Sequence, residues 1–146
     1  MIIVKILSDI ETAMKARETE KLTALRTLHA EIKNVSINTR KPIDNDMCID
    51  VLSKLVKQKN ESYDIYVKAN KLDRAEVEKK DANLYQSYLP EPIGEDEVKN
   101  IVANIISSIG ANSIKDMGKV MAQLTPQIKG KFDVKLAGQL VKSALT

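Results

Sequence analysis

The stretch Leu22-Thr23-Ala24-Leu25-Arg26-Thr27-Leu28-His29-Ala30-Glu31-Ile32-Lys33-Asn34-Val35 decides the fold class. Its apolar residues Leu22, Leu25, Leu28, Ile32 and Val35 recur at intervals of three and four, which places them on one face of an α-helix. The pattern predicts a helix from about Thr19 to Thr39, with Thr19 as N-cap and Glu20 in the first turn. Lys41-Pro42 stops it, because proline disfavours helical backbone at the residue before it.

The same spacing continues on both sides. Upstream, Ile3, Ile6, Leu7, Ile10, Ala13 and Met14 predict a helix from about Ile3 to Ala16. Downstream, Ile49, Leu52, Leu55, Val56, Tyr63, Tyr66 and Val67 line one side of a helix from about Asn45 to Asn70, capped by Asp44 or Asn45. No Gly or Pro interrupts it, and its length predicts an extended rod. Asp73 is expected to cap a fourth helix that runs to about Tyr88.

Pro90 and Pro92 then break the chain. A fifth helix is expected over Glu95 to Ile109, with Glu95, Asp96 and Glu97 at its positive N-terminal end and Gly110 just past its C-terminus. Ser113 and Asp116 resemble a capping box opening a sixth helix, which meets Pro126. A seventh starts at Asp133 and carries Ala137, Leu140, Val141, Ala144 and Leu145. No segment alternates apolar and polar residues, and no Asn-Gly or Asp-Gly pair marks a hairpin. The reading is an all-α chain: an N-terminal bundle or hairpin of longer helices, residues 1–92, then a compact C-terminal three-helix part, residues 93–146.

Composition supports a packed fold. Hydrophobic residues make up 43% of the 146, enough for a core, but aromatics are few and Trp is absent, so aliphatic side chains must fill it. A net charge of +3 permits nucleic-acid binding without requiring it. Cys48 is the single cysteine, which excludes an intrachain disulfide and a cysteine metal cluster. It suggests a reduced, cytoplasmic protein. The N-terminal apolar run is broken by Lys5 and is too short for a secretory signal, and Ile101 to Ile109 is too short to span a bilayer. No membrane role is expected.

Catalytic equipment is sparse. His29 is the one histidine and lies between Leu28 and Ile32, as a structural histidine would. Cys48 reads as a packed thiol. No phosphate-binding loop precedes Gly118-Lys119 or Gly130-Lys131, and Glu76 and Glu78 read as solvated helix charges. Neither a cofactor nor a metal is expected.

Basic features remain. Arg26, Lys33 and Arg40 are spaced by seven on the predicted second helix, and Lys54, Lys57 and Lys68 lie along the third. After Gly110, Lys115, Lys119, Lys129, Lys131, Lys135 and Lys142 face only Asp116 and Asp133. Gly118 and Gly130 sit among them. Glycine would let a phosphate backbone come close; alternatively Gly118 eases a helix–helix contact and Gly130 makes a turn. With so few aromatics for base stacking, any nucleic-acid contact would be to backbone and shape. The residues expected to touch RNA are Lys115, Lys119, Lys129, Lys131, Lys135, Gly118, Gly130, Arg26 and Lys33.

Several short runs, taken in order, resemble one family. They are Leu25-Arg26-Thr27-Leu28 with Ala30-Glu31-Ile32-Lys33-Asn34, then Lys57-Gln58-Lys59-Asn60-Glu61-Ser62, then Tyr88-Leu89-Pro90. Asp116-Met117-Gly118-Lys119-Val120-Met121 and Lys129-Gly130-Lys131-Phe132-Asp133 complete the set. Together they resemble the YqeY family over essentially the whole chain. The chain departs from the pattern at Lys59, where the family has Arg, and at Asn70-Lys71, where it has Gly-Arg. The charges survive, but bidentate arginine geometry does not.

The family shares its C-terminal helical domain with the tail of GatB, a subunit of the glutamine-dependent tRNA amidotransferase. The resemblance therefore implies tRNA, aminoacyl-tRNA or the translation machinery as partners. It also brings a label of carbon–nitrogen ligase with glutamine as amido-N-donor. No catalytic constellation in this sequence matches that label. A non-catalytic tRNA-binding or amidotransferase-accessory module ranks first, a helical protein–protein adaptor second, and a free-standing enzyme last.

Overall fold

The computed structural model describes residues 1–146 and contains seven α-helices and no strand. They are α1 (Ile2–Lys15), α2 (Thr19–Thr39), α3 (Asn45–Lys68), α4 (Leu72–Gln86), α5 (Glu95–Ile109), α6 (Met117–Ile128) and α7 (Val134–Leu145), with a short 3-10 turn at Ile114–Asp116 before α6. The chain divides into two compact units, Met1–Leu89 and Pro90–Thr146.

In the N-terminal unit, α2 buries Ala24, Leu25, Leu28 and Ile32, while Leu22 and Val35 pack at the margin. Each fully buried aliphatic side chain contributes about 2 kcal/mol, more than the few tenths that separate residues in helix propensity, so burial decides the helix. Ile6 and Ala13 of α1 join this core, and the Asn45 side chain accepts the Ile2 N–H at 2.9 Å, tying the start of α1 to the start of α3. The Asp44 carboxylate caps α3 by accepting the Met47 N–H at 2.8 Å.

Several expectations are corrected. Glu18, not Thr19, precedes α2, and Lys71, not Asp73, precedes α4; neither supplies a side-chain cap. The third helix is not a free rod. Met47, Cys48, Val51, Leu52 and Leu55 are buried in its first half, and α4 folds back along it. The small residues Ala75 and Ala82 face inward and let α4 approach closely. Between the two helices, Asn70 adopts a left-handed φ of 57°. Where the resembled family has glycine, asparagine is one of the few other residues that tolerates that conformation.

Glu78 is not a solvated charge either. The Lys59 ammonium lies 3.1 Å from Glu78 and 3.2 Å from Asp81, with all three side chains largely covered. Burial alone pulls the Lys59 pKa down, but hydrogen bonds and attraction from the two carboxylates overcome it and the net shift is upward. Lys59→Met is expected to cost about 1–3 kcal/mol, because two half-buried carboxylates one turn apart lose their shared cation. Lys59→Arg should retain most of the stability. Urea unfolding of both variants checks this; equal stability of Lys59→Met and the parent would refute it.

The C-terminal unit packs Val98, Val102 and Ile105 of α5 against Val120, Leu124 and Ile128 of α6 and Ala137, Val141 and Leu145 of α7. Gly110 ends α5 at φ 69°, and Asp133 caps α7 by accepting the Lys135 N–H at 2.9 Å. Two details differ from expectation. The Ser113 side chain caps nothing, and Asp116 instead accepts the Asn112 N–H at 3.1 Å. Pro126 lies inside α6 rather than ending it, because the fully buried Leu124 and Ile128 hold the last turn in place despite the missing N–H.

Candidate nucleic-acid interface

Residues 110–116 link the end of α5 to the start of α6, and the start of α5 lies beside the residues that follow α6, so α5 and α6 run in opposite directions. The expected RNA-binding lysines therefore separate into two groups. Lys115 and Lys119 lie where α6 begins, beside the end of α5. Lys129, Lys131 and Lys135 lie at the opposite end, where α6 passes into α7. Ten residues of helix, about 15 Å, separate Lys119 from Lys129.

The two ends differ in charge. The Ile93 N–H donates to the Lys131 carbonyl at 3.1 Å, which brings the start of α5 beside the α6–α7 link. Lys131 and Lys135 thus share their end with Glu95, Asp96 and Glu97, and Lys129 there is half-buried. At the other end the acid next to Lys115 and Lys119 is Asp116, whose carboxylate accepts a backbone N–H.

The glycines also differ. Gly130 has φ 75° and makes the turn between α6 and α7. Gly118 is exposed in the first turn of α6, and an added Cβ would meet no atom within 4 Å. It eases no helix–helix contact. Neither packing nor backbone conformation requires a glycine there.

In the N-terminal unit, Arg26 and Lys33 are exposed on the outer side of α2, with His29 half-buried on its flank. Arg40 follows the helix in a left-handed conformation, φ 54°. The Cys48 thiol is buried, and its pKa is raised by burial first and by the Asp44 charge second, against a backbone hydrogen bond with Ile3. It is an inert thiol at neutral pH. A cleft of about 320 Å³ between α2 and α4 is lined by Glu20, Lys21, Val77, Lys80, Asp81 and Leu84. Its lysines are paired with Glu18 at 3.8 Å and Glu76 at 3.9 Å, so it presents no unbalanced field. No three His, Cys, Asp or Glu side chains gather as a metal site would need.

Some site residues escape a reading of the sequence. Asn104 and Ser108 interrupt the apolar run of α5, yet with Ile101 and Ile105 they line a groove of about 250 Å³ shared with Gln123 and Gln127 of α6. The spacing 101, 104, 105, 108 was visible as one helix face; that α6 lies across from it was not.

A family profile described as "Yqey-like protein" matches residues 3–145. Among curated proteins, the chain is similar to the "Altered inheritance of mitochondria protein 41, mitochondrial" of Eremothecium gossypii, 39% identical over 82 residues, 56% of this chain and 45% of that protein. The protein of the same name from Pyrenophora tritici-repentis is 26% identical over 134 residues, 90% of this chain and 73% of that one. The one from Kluyveromyces lactis is 29% identical over 140 residues, 92% of this chain and 71% of that one. The chain thus spans less than half of the first relative and under three quarters of the other two. These names overturn the cytoplasmic setting expected from the single cysteine, since each relative is called mitochondrial. A lone thiol excludes an intrachain disulfide, but it does not distinguish one thiol-reducing compartment from another.

Proposed function

The chain belongs to the YqeY-like family, and from that premise we propose that it is a non-catalytic module that binds folded tRNA through its C-terminal unit. The observation that carries the reading is the start of α6. Lys115, Gly118 and Lys119 are exposed together there, and the adjacent acid is occupied by the backbone. A glycine that the fold does not need, between two lysines, suits the close approach of a phosphate backbone. The half-buried His29 and the buried Cys48 offer no activated nucleophile, which favours binding over amide transfer.

Fluorescence anisotropy with unmodified tRNA across a salt series tests the reading. Lys115→Glu with Lys119→Glu is expected to weaken binding at least about tenfold and to flatten the log–log salt slope by about 1–2. Gly118→Ala is expected to raise stability by about 0.5–1 kcal/mol while weakening binding. No binding of tRNA by the parent protein at low salt would sink the proposal.

A specific observation favours the adaptor reading: Met1, just ahead of α1, and Val4, Leu7 and Met14 on it expose apolar side chains. It predicts a protein partner that survives nuclease treatment in a pull-down, and loss of every partner on that treatment counts against it.

A further inference from the structure

The groove between α5 and α6 is unlike the rest of the surface. Its floor is Ile101 and the buried Ile105, and its rim carries Asn104, Ser108, Gln123 and Gln127, with no charged side chain among the lining residues. Gln123 is one turn from Lys119 along α6, and Gln127 one turn further, so lysine and both amides follow one stripe. Because α5 and α6 run in opposite directions, Ser108 faces the Lys119 end and Ile101 the far end.

We propose that this groove takes the ribose edge of an RNA helix, with the amides bonding 2′-hydroxyls while Lys119 holds a neighbouring phosphate. The proposal rests on the RNA-binding reading above and adds to it a site that discriminates RNA from DNA. A 2′-hydroxyl both donates and accepts, and so does a carboxamide; Gln127 gives one amide hydrogen to the Gln123 carbonyl at 3.2 Å and keeps its second hydrogen and its oxygen for a hydroxyl. The wide, shallow minor groove of A-form RNA presents a row of these hydroxyls to a protein surface. Residues 123 and 127 are about 6 Å apart along the helix axis, as are residues 104 and 108, which is of the same order as the step between neighbouring riboses. The groove carries no aromatic residue, so it reads sugars rather than stacking bases. The neutral rim leaves the electrostatic attraction to Lys119 at one end of the groove.

The test compares an RNA hairpin with the DNA hairpin of the same sequence, using the full chain and a variant carrying Asn104→Ala, Gln123→Ala and Gln127→Ala. Asn104, Gln123 and Gln127 are exposed, so the fold tolerates the changes. The parent is expected to prefer RNA by about tenfold or more, as loss of one or two net hydrogen bonds implies. The variant should lose that preference and keep the parent's salt slope. Side-chain amide NMR signals of Asn104, Gln123 and Gln127 should move with the RNA hairpin and not with the DNA. Lys119→Glu should weaken both hairpins alike. A variant that binds RNA and keeps the parent's RNA-to-DNA ratio overturns the groove proposal and leaves RNA binding standing. A parent protein that binds neither hairpin at low salt overturns both.

Discussion

Tyr85→Ala is expected to cost about 3–5 kcal/mol. Tyr85 has no exposed surface, and its hydroxyl donates to the Ala24 carbonyl at 2.8 Å across 61 positions of sequence. It joins the end of α4 to α2, so its removal opens a cavity where the helices of the N-terminal unit meet. A typical domain has 5–15 kcal/mol in all, so this unit would be left marginal or unfolded. Tyr85→Phe keeps the ring and loses only the hydrogen bond, while the Ala24 carbonyl stays inside α2 and retains its helical partner. It should cost about 1 kcal/mol. Urea unfolding of the pair separates packing from hydrogen bonding. An alanine variant within 1 kcal/mol of the parent would show that the ring carries no such load.

Alkaline pH is expected to unfold the N-terminal unit before the C-terminal one. Burial raises the Tyr85 pKa above its ordinary 10.0, and the charges of Asp81 and Glu78 add to the effect. Burial also raises that of Tyr88, reinforced by its short hydrogen bond to Asp9 and by the Asp9 charge. Lys59 is raised above 10.5 for the reason given above. In each case the folded chain holds its proton more tightly than the unfolded chain. The associated stability is complete below the unfolded pKa values, declines as the pH climbs past about 10, and is gone above the folded values. All four tyrosines lie in the N-terminal unit, so tyrosinate absorbance reports on that unit alone. Titration should show tyrosinate from Tyr85 and Tyr88 appearing together with loss of helix. If both ionised while the N-terminal unit kept its amide NMR signals, the prediction would fail.

How far each feature could be read in advance followed from the range of the interaction behind it. The bounds of α2 and α5 are local matters. Leucine spacing and the acidic first turn at Glu95, with Gly110 as terminator, act within a few residues, and the helices form as their patterns require. The caps at Asp44 and Asp133 likewise depend on a carboxylate and an N–H two or three residues apart. Pro126 shows where a local rule gives way, because burial of Leu124 and Ile128 outweighs the lost hydrogen bond.

The N-terminal signature runs illustrate the same divide. Lys59 reads in sequence as one cation among several, and only the pairing of α3 with α4 reveals Glu78 and Asp81 as its partners. Tyr88 reads as the apolar end of a helix, and only the return of α4 to α1 brings its hydroxyl to Asp9 and its ring under Lys5, 5.5 Å away. The C-terminal lysines formed one set by composition. The opposite directions of α5 and α6 divide them, leaving Lys115 and Lys119 away from the acidic start of α5 while Lys131 and Lys135 sit beside it.

The sequence by itself determined that the chain is all-helical, where most helices begin and end, and which family it resembles. Each of these depends on spacing and order along the chain. Tertiary structure alone decided that Glu78 is paired, that Gly118 is free of packing duty, and that Asn104 and Ser108 share a groove with Gln123 and Gln127. Those facts depend on which helix faces which. That choice is made by burial of side chains far apart in sequence, and no local pattern encodes it.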